Sequence, residues 1–417
     1  MKVLCLDMDS FFASVEIATN PALKDTPMAV TGAGERTVIL SASYPARKKG
    51  VKTGQTTGEA LAACPGLKLV KASNKKYTYV SSMIAEYLKS ISPTARMFSI
   101  DEAFMDITDI EESSQEIGYR IKTWLKQHLK ITGSVGIGES YILAKMASNV
   151  KKPDGYYEVL PEHRVAFIDG FKLKSIWGIG RRTVEKLNAA GMFTPADVRR
   201  RGEDELFDMY GVPGLVIHRS CCGLDKGETD DKDAPLKSIS HAITAPEDIA
   251  DPATAFAYML QLSEAVSTRA RKRLYSGRTV TLTVRESGMK TYSFRQNLGF
   301  YTSATHHIYE AVKSLFIENV SLSTPLRLMG VGLDNLIYGS TSFANMEDMI
   351  EGVDDRNESL YKAIDEINGK YNNGLVRGSV LKIGFRQPQG ISFSFKKDSF
   401  WRSIYSPPDG LQETKKD

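Results

Sequence analysis

Phe98-Ser99-Ile100-Asp101-Glu102-Ala103-Phe104 sets two adjacent carboxylates at a break between two apolar runs. Ala95-Arg96-Met97-Phe98-Ser99-Ile100 precedes them and Ala103-Phe104-Met105-Asp106-Ile107 follows. Both flanks alternate well enough to be strands, which puts Asp101 and Glu102 at or beside the tight turn of a hairpin. Two such carboxylates repel each other and gain nothing from packing unless a cation is shared between them. A function built on them needs a third carboxylate, a grip for phosphate and a track for a polyanion.

Working outward toward the N-terminus, Val3 to Leu6 reads as a short buried strand with Asp7-Met8-Asp9 at its carboxyl end and a helical run from Ser10 through Ala18. The carboxyl end of a buried strand is where α/β folds handle ligands. Taken alone, Asp7 is equally well a helix N-terminal acid favoured by the dipole. Phe11 and Phe12 follow at once, and spacing alone leaves two readings open, helix core or an aromatic packed beside a nucleotide sugar. Val38-Ile39-Leu40-Ser41 is another strand, leading into Ala42-Ser43-Tyr44-Pro45-Ala46-Arg47-Lys48-Lys49-Gly50. Tyr44 and Arg47 are three apart and on a helical turn point the same way. A phenol beside a guanidinium suits a triphosphate; a solvated basic loop is the alternative.

Tyr77 to Ile91 has the pattern of an amphipathic helix. Lys130-Ile131-Thr132-Gly133-Ser134-Val135-Gly136-Ile137-Gly138 reads as a strand ending in glycines, and Tyr141 to Val150 as a helix. The basic turn Lys151-Lys152-Pro153-Asp154-Gly155 suits a phosphate, although lysines near a helix C-terminus are favoured by the dipole in any case. Ile176-Trp177-Gly178-Ile179-Gly180-Arg181-Arg182, continuing to Gly191, has the helix-hairpin-helix pattern. Its glycines Gly178 and Gly180 let backbone N–H groups approach a DNA phosphate, and Arg181 and Arg182 add charge. Thr194-Pro195-Ala196-Asp197 has the N-cap, N1 proline and capping-box acid of a further helix.

Residues 228 to 236 are polar, carry a proline and read as a linker. Beyond it the pattern predicts a helix from Pro252 to Leu274, strands over Thr279 to Arg285 and Lys290 to Arg295, a helix from Thr305 to Phe316 and a strand from Leu326 to Leu333. Alternation along Thr281, Thr283 and Arg285 puts polar groups on one sheet face, fit to line a sugar-phosphate backbone. Charge is unevenly spread around a net of only +4. Residues 260 to 295 hold Arg269, Arg271, Lys272, Arg273, Arg278, Arg285, Lys290 and Arg295 against Glu264 and Glu286, whereas 347 to 358 are acidic. A basic segment followed by an acidic one suggests a polyanion-binding module with a differently employed tail.

The 417 residues exceed one typical domain, and about 150 residues each predicts roughly three. With 42% apolar and 25% charged residues, a sizeable core is expected. No apolar run approaches the roughly 20 residues of a membrane span. The N-terminal apolar segment is too short for a signal peptide, so the cytoplasm is the expected location. Cys5, Cys64, Cys221 and Cys222 lack metal-ligand spacing and read as reduced and mostly buried.

In order along roughly the first 335 residues, these stretches resemble the Y-family (UmuC/DinB type) translesion DNA polymerases. The resemblance rests on Leu6-Asp7-Met8-Asp9-Ser10-Phe11-Phe12-Ala13-Ser14-Val15-Glu16, Tyr44-Pro45-Ala46-Arg47-Lys48-Lys49-Gly50-Val51 and Ser99-Ile100-Asp101-Glu102-Ala103-Phe104. It extends through Ser134-Val135-Gly136-Ile137-Gly138, Leu143-Ala144-Lys145-Met146-Ala147-Ser148 and Lys152-Pro153-Asp154-Gly155, with the helix-hairpin-helix where that family has its thumb. It implies an α+β multidomain right hand: palm at 1–10 and 72–165 with a mixed sheet, small fingers at 11–71, and a thumb at 166–227. A linker at 228–237, an α/β little finger at 238–338 and a partly disordered C-terminal extension at 339–417 complete it. The segment from Tyr361 to Tyr371 is similar to the extension of the Gram-positive branch.

The resemblance also implies roles. Asp7 and Asp101, with the Met8 carbonyl, would hold two divalent ions, and Glu102 would complete the catalytic acids. Phe11, Tyr44, Arg47 and Lys152 would bind the deoxynucleoside triphosphate, and Phe12 would be the steric gate against the ribose 2'-OH. Two ions about 3.5 to 4 Å apart suit phosphoryl transfer, and hard oxygen ligands suit Mg²⁺, with Mn²⁺ able to substitute. Primer-template DNA is the expected partner and a monomer the expected state. With no extra carboxylate-rich domain to proofread, low fidelity is expected.

Two departures stand out. Glu139-Ser140-Tyr141 follows Gly138 where many members carry an Asn-Lys pair. The sliding-clamp peptide is degenerate, with Gly339-Ser340-Thr341-Ser342-Phe343 keeping only the phenylalanine and Gln389-Gly390-Ile391-Ser392-Phe393 a second weak match. Two other classes compete: a catalytically silent DNA-binding scaffold of the same fold, and a template-free nucleotidyl cyclase-like enzyme. Intact Asp7, Asp101 and Glu102 argue against the first, and the helix-hairpin-helix and basic module against the second.

Overall fold

The computed structural model describes residues 1–32, 34, 36–225, 235–339 and 358–370. These form two compact units, one from residues 1 to 225 and the other from 235 to 370, with 34 and 36 grouping with the second. The expected linker falls almost wholly outside the described residues, as do both clamp-peptide candidates beyond Gly339.

The first unit is organised around a five-stranded sheet of β1 (Val3–Met8), β5 (Arg96–Met97), β6 (Glu102–Asp106), β7 (Gly133–Gly138) and β8 (Tyr156–Glu158), in the order β5-β6-β1-β7-β8. β1 lies in the middle, antiparallel to β6 and β7, and all six of its residues are buried. Because side chains alternate along a strand, Leu4, Leu6 and Met8 face one way, into a core shared with α1 (Phe11–Thr19), α4 (Asn74–Ile91) and α5 (Ser114–Trp124). Val3 and Cys5 face the other way, toward Phe104 and Ala144 of α6 (Tyr141–Ser148). Asp7 continues that second set, so its carboxylate also lies on the α6 side. Glu102 is directly opposite Asp7 in the antiparallel register and shares its face.

α6 lies unusually close to the sheet because β7 presents bare backbone to it. A Cβ on Gly136 would stand 2.1 Å from the Ala144 carbonyl oxygen, and one on Gly138 2.6 Å from the Leu143 Cβ. The alternating glycines of the sequence are therefore the bed of a helix. The outer side of α6, with Ile142, Leu143 and Met146, enters a second core. Its other members include residues of α7 (Arg164–Asp169), α8 (Arg181–Ala189), α9 (Pro195–Arg201), α10 (Glu203–Tyr210) and α11 (Val212–Cys221) and of the segments between them.

A small sheet, β3-β2-β4, of β2 (Met28–Thr31), β3 (Ile39–Ala42) and β4 (Lys68–Lys71) forms a third core with α2 (Tyr44–Lys48) and α3 (Thr57–Ala63). The Ser43 hydroxyl accepts from the Ala46 amide to start α2, with Pro45 in its first turn.

The helix-hairpin-helix differs from expectation on one side. The element before Gly178 is a single 3-10 turn, Leu173–Ser175, because α7 has already ended at Gly170. Gly178 has φ of 91° and Gly180 caps α8, as the glycine pattern requires. The predicted Thr194 cap forms, with Thr194 and Asp197 exchanging capping-box hydrogen bonds.

The second unit is a four-stranded antiparallel sheet, β11-β10-β12-β9, with two helices on one face. Its strands are β9 (Ser238–Ile249), β10 (Tyr275–Glu286), β11 (Thr291–Thr302) and β12 (Leu326–Tyr338), and its helices α12 (Pro252–Lys272) and α13 (Thr305–Asn319). β9 has no counterpart in the sequence analysis, because its polar stretch Thr244-Ala245-Pro246-Glu247-Asp248 hides the apolar positions Ile239, Ile243 and Ile249. Val280, Leu282 and Val284 are buried against the helices, while Thr281, Thr283 and Arg285 take the opposite face as expected. A last described helix, Glu358–Lys370, packs in this unit through Asp365, which accepts from Arg271, and Tyr361, whose hydroxyl meets His306.

Candidate active site

The two carboxylates that open the hairpin part company in the fold. Asp101 is in the turn between β5 and β6, and Glu102 is the first residue of β6. The turn is closed by the Phe98 and Ser99 amides donating to the Glu102 carbonyl. The Met8 amide donates to the Asp101 carbonyl at 2.9 Å, which ties the turn to the end of β1. Asp7, Met8, Asp101 and Glu102 are thus brought to one place by two adjacent strands. The Asp101 carboxylate itself accepts from the Ser99 hydroxyl at 2.7 Å. Among the described residues, no three His, Cys, Asp or Glu side chains stand together in the arrangement of a metal site.

Ammonium groups occupy the acids instead. Lys145, from the middle of α6, lies 2.5 Å from Asp7 Oδ2 and 2.5 Å from Glu102 Oε1. Lys152 lies 2.5 Å from Asp7 Oδ1. Both oxygens of Asp7 are therefore paired with a cation. Burial by itself would lower the Lys145 pKa, but the carboxylates of Asp7 and Glu102 outweigh it and hold the ammonium above its usual range. Burial raises Glu102, and Lys145 opposes that rise. Beneath Asp7 on the same face, burial is the main cause that pushes the Cys5 thiol up to about 12. That thiol is neutral, and all four cysteines are free.

Sequence reasoning places Lys145 within a motif without giving it a role. Its signal is nonetheless present: a single charge in the middle of Tyr141-Ile142-Leu143-Ala144-Lys145-Met146-Ala147, which is otherwise nearly all apolar. A lone buried ammonium requires an acid partner.

Asp9 also belongs to the site as an anchor. Its Oδ1 accepts from the Ser134 hydroxyl at 2.8 Å and its Oδ2 from the Asp154 amide at 2.7 Å. Lys122 donates to the Asp154 carbonyl and Lys126 to its carboxylate, both at 2.5 Å. The turn that carries Lys152 is thereby fastened to β1, β7 and α5.

Phe11 and Phe12 are both buried in the core beside the site, so the structural reading of Phe11 holds for its packing. Phe12 stacks on Tyr77 with centroids 4.3 Å apart. The Tyr77 hydroxyl donates to buried Glu16 at 2.7 Å, and Lys76 pairs with the same carboxylate. Tyr44 and Arg47 do point together: the guanidinium carbon is 5.4 Å from the phenol ring centroid, and Arg47 Nε donates to the Ala42 carbonyl. Burial first, then the negative charge of nearby Asp9, pushes the Tyr44 phenol up to about 12.

Glu139 pairs with Arg164 at 2.6 Å, and the Ser140 hydroxyl caps α6 while donating to the Gly223 carbonyl. The residues that replace the Asn-Lys pair thus join α6 to the helical layer. Arg181 is exposed, its side chain 88% accessible. In the second unit Arg295 is opposite Thr281 and Arg285 opposite Thr291, so Arg285 and Arg295 share the polar face of the sheet. Arg285 Nε donates to the Thr291 hydroxyl at 2.9 Å.

Known proteins give the same pattern. Residues 6–149 match the impB/mucB/samB family and residues 236–346 the C-terminal domain of that family. The chain is 32% identical over 396 residues to DNA polymerase IV of Pelotomaculum thermopropionicum, covering 93% of this chain and 96% of that one. It is 30% identical over 398 residues to DNA polymerase IV of Oceanobacillus iheyensis, covering 94% and 95%. Among solved structures it is similar in fold to a Y-family DNA polymerase chimera of Dbh and Dpo4, with a TM-score of 0.70 at 24% identity over 81% of this chain and 100% of the other. An insertion ternary complex of Dbh DNA polymerase matches with a TM-score of 0.54 at 23% identity over the same shares.

Proposed function

Since the chain belongs to the impB/mucB/samB family of DinB-type Y-family polymerases and is a DNA-directed DNA polymerase of the translesion kind, we propose that Asp7, Asp101 and Glu102 are its catalytic acids and that it works by two-metal phosphoryl transfer without proofreading. The observation that carries this is the pairing of Asp7 with Glu102 across β1 and β6, with the Asp101 backbone tied to Met8. Asp7 and Glu102 are two hard-oxygen donors on one face, already paired with two ammonium groups, and the Asp101 carboxylate and Met8 carbonyl at the same strand end would complete the set by turning onto ions bound there. That chemistry fits divalent ions, Mg²⁺ first and Mn²⁺ as a substitute.

The family implies divalent ions, which when bound would supply Lewis-acid chemistry toward the primer hydroxyl and the charge on the phosphorus and pyrophosphate. The chain's own residues do the rest. Asp7, Asp101, Glu102 and the Met8 carbonyl hold the ions. Tyr44, Arg47 and Lys152 grip the triphosphate, with Arg47 offering forked donors once it leaves the Ala42 carbonyl. Phe11, buried in the core, backs Phe12 from behind. Phe12, backed by Tyr77, excludes the ribose 2'-OH.

The proposed domains are palm at 1–10 and 72–165, fingers at 11–71, thumb at 166–227, and little finger at 238–338 past the linker at 228–237, with α1 of the fingers packed in the palm core and α6 of the palm reaching the thumb core. Gly178, Gly180, Arg181 and Arg182 of the thumb would hold primer-template phosphates, and Arg285 and Arg295 of the little finger would do the same from its polar face. A monomer in the cytoplasm is the state proposed; among the described residues no helix is long and apolar enough to cross a membrane.

The test is primer extension with Mg²⁺ and deoxynucleotides on an undamaged and an abasic template. Extension by the intact chain and none by Asp101→Asn is expected. Full activity of Asp101→Asn sinks the assignment.

A further inference from the structure

Lys152 has two claims on it. Its ammonium is 2.5 Å from Asp7 Oδ1 in the structure, and the polymerase reading gives it to the triphosphate. An ammonium can bridge two anions, as Lys145 does, but a divalent ion on Asp7 Oδ1 would repel Lys152 from that oxygen while a triphosphate would draw it away. The backbone around it is fixed, because Asp9 accepts from the Asp154 amide, Lys122 donates to the Asp154 carbonyl and Lys126 to the Asp154 carboxylate. Only the side chain is free to change partners, and it is 25% exposed, against 10% for Lys145. Lys145 is wedged between Asp7 and Glu102, and its removal would leave those two acids to repel each other.

We propose that Lys152 is an exchangeable cation: it neutralises Asp7 while no nucleotide is bound and passes to the triphosphate as a divalent ion takes its place. This rests on the polymerase site proposed above. An ion arriving alone has to displace Lys152 from Asp7 Oδ1 or sit beside it, and like charges in a half-dry site repel strongly. An ion arriving with a triphosphate meets no such cost, because the phosphate charges offer the ammonium a new partner. Ion and nucleotide therefore promote each other's binding through one side chain, and linkage makes the effect reciprocal. The exchange keeps Asp7 paired at every stage, which spares the fold a bare buried carboxylate.

Mn²⁺ binding to the full chain, read by the loss of the free-ion electron paramagnetic resonance signal, tests this without any turnover. In the absence of nucleotide, Lys152→Met should bind Mn²⁺ about fivefold or more tighter than the unaltered chain, in the range of ordinary coupling effects. Lys152→Gln should do the same. On adding a non-hydrolysable deoxynucleoside triphosphate analogue, the gain in Mn²⁺ affinity should be smaller in the variants than in the unaltered chain. Thermal unfolding verifies that both variants are folded. Equal or weaker Mn²⁺ binding by two folded variants overturns the exchange. Primer extension by the unaltered chain, measured alongside, keeps that failure apart from failure of the polymerase reading, and undiminished Mn²⁺ binding by Asp7→Asn would sink both.

Discussion

The two larger sheets of the molecule are built alike and use charge in opposite ways. Each is a mostly antiparallel sheet with helices laid on it, but the central strand of the first is apolar and buried on both faces, whereas β10 of the second sorts apolar from polar side chains. The five-stranded sheet of the first unit draws charge inward: Asp7 and Lys145 are buried, and the pair is set between a strand and the helix packed on it. The four-stranded sheet of the second unit turns charge outward, with Arg285 and Arg295 on a face opposite its helices. Desolvated charge interacts strongly and is little screened, so each residue matters and salt does not. Exposed charge acts by summation and is screened. The first sheet is suited to chemistry at a point, the second to holding a polyanion along a line.

That contrast can be broken most forcefully at the acids. Asp7→Asn or Asp101→Asn should lower primer extension by about 10³-fold or more while leaving unfolding temperature nearly unchanged for Asp101. A comparable fall from a single arginine change in the second sheet would erase the distinction. Next comes the buried cation. Lys145→Met removes one partner of a nearly dry pair and should cost about 3 kcal/mol of stability, read by denaturant unfolding. An unchanged midpoint would show that Asp7 and Glu102 are better solvated than their burial implies.

At the gate, Phe12→Ala should raise ribonucleotide incorporation at little cost to deoxynucleotide use, measured by competitive extension. Unchanged sugar selectivity refutes the assignment of Phe12. For the outward-facing charges, replacing Arg285 and Arg295 by glutamine should weaken DNA binding modestly and reduce the salt slope by about one for each phosphate no longer neutralised. An unaltered slope means that this face does not meet the backbone.

The smallest expected effect is on the stability of the second unit below neutrality. Burial, with His306 adding to it, lowers the His307 pKa from 6.5 to about 4. The folded unit keeps this ring neutral while the unfolded chain protonates it, so stability present above pH 6.5 is progressively lost as pH falls toward 4. Thermal unfolding of His307→Gln should lack part of that decline. An identical pH profile would assign the decline to other groups.

The strand-turn-strand around Asp101 is legible in the sequence because alternation and a charged break coincide there, but its first strand is cut to Arg96–Met97 and Phe98 to Ile100 join the turn. Helices with clear caps, such as those begun by Ser43 and Thr194, are equally readable. β9 is not, since its inward positions Ile239, His241, Ile243 and Ala245 include an imidazole and a small residue, and Pro246, Glu247 and Asp248 then break the run before Ile249. The site is legible as a set of acids, but its cations are not. Lys145 reaches Asp7 only because β1 and α6, far apart in sequence, are stacked, and no local pattern encodes that contact. The short 3-10 turn before Gly178 escapes a sequence reading for a similar reason: the glycine signal is local, but the length of the element before it is decided by the chain ending its previous helix at Gly170.

Gly136 touches no carboxylate, cation or nucleotide-binding residue, yet it sets how near α6 comes to β1. A single methyl group there would meet the Ala144 carbonyl at 2.1 Å and lift the helix, and Lys145 with it. The separation between the acids and their built-in countercharge is therefore calibrated by the absence of a side chain. A screen for inactive variants should find position 136 intolerant of every other residue, an inherited vulnerability at a place where no reacting group stands.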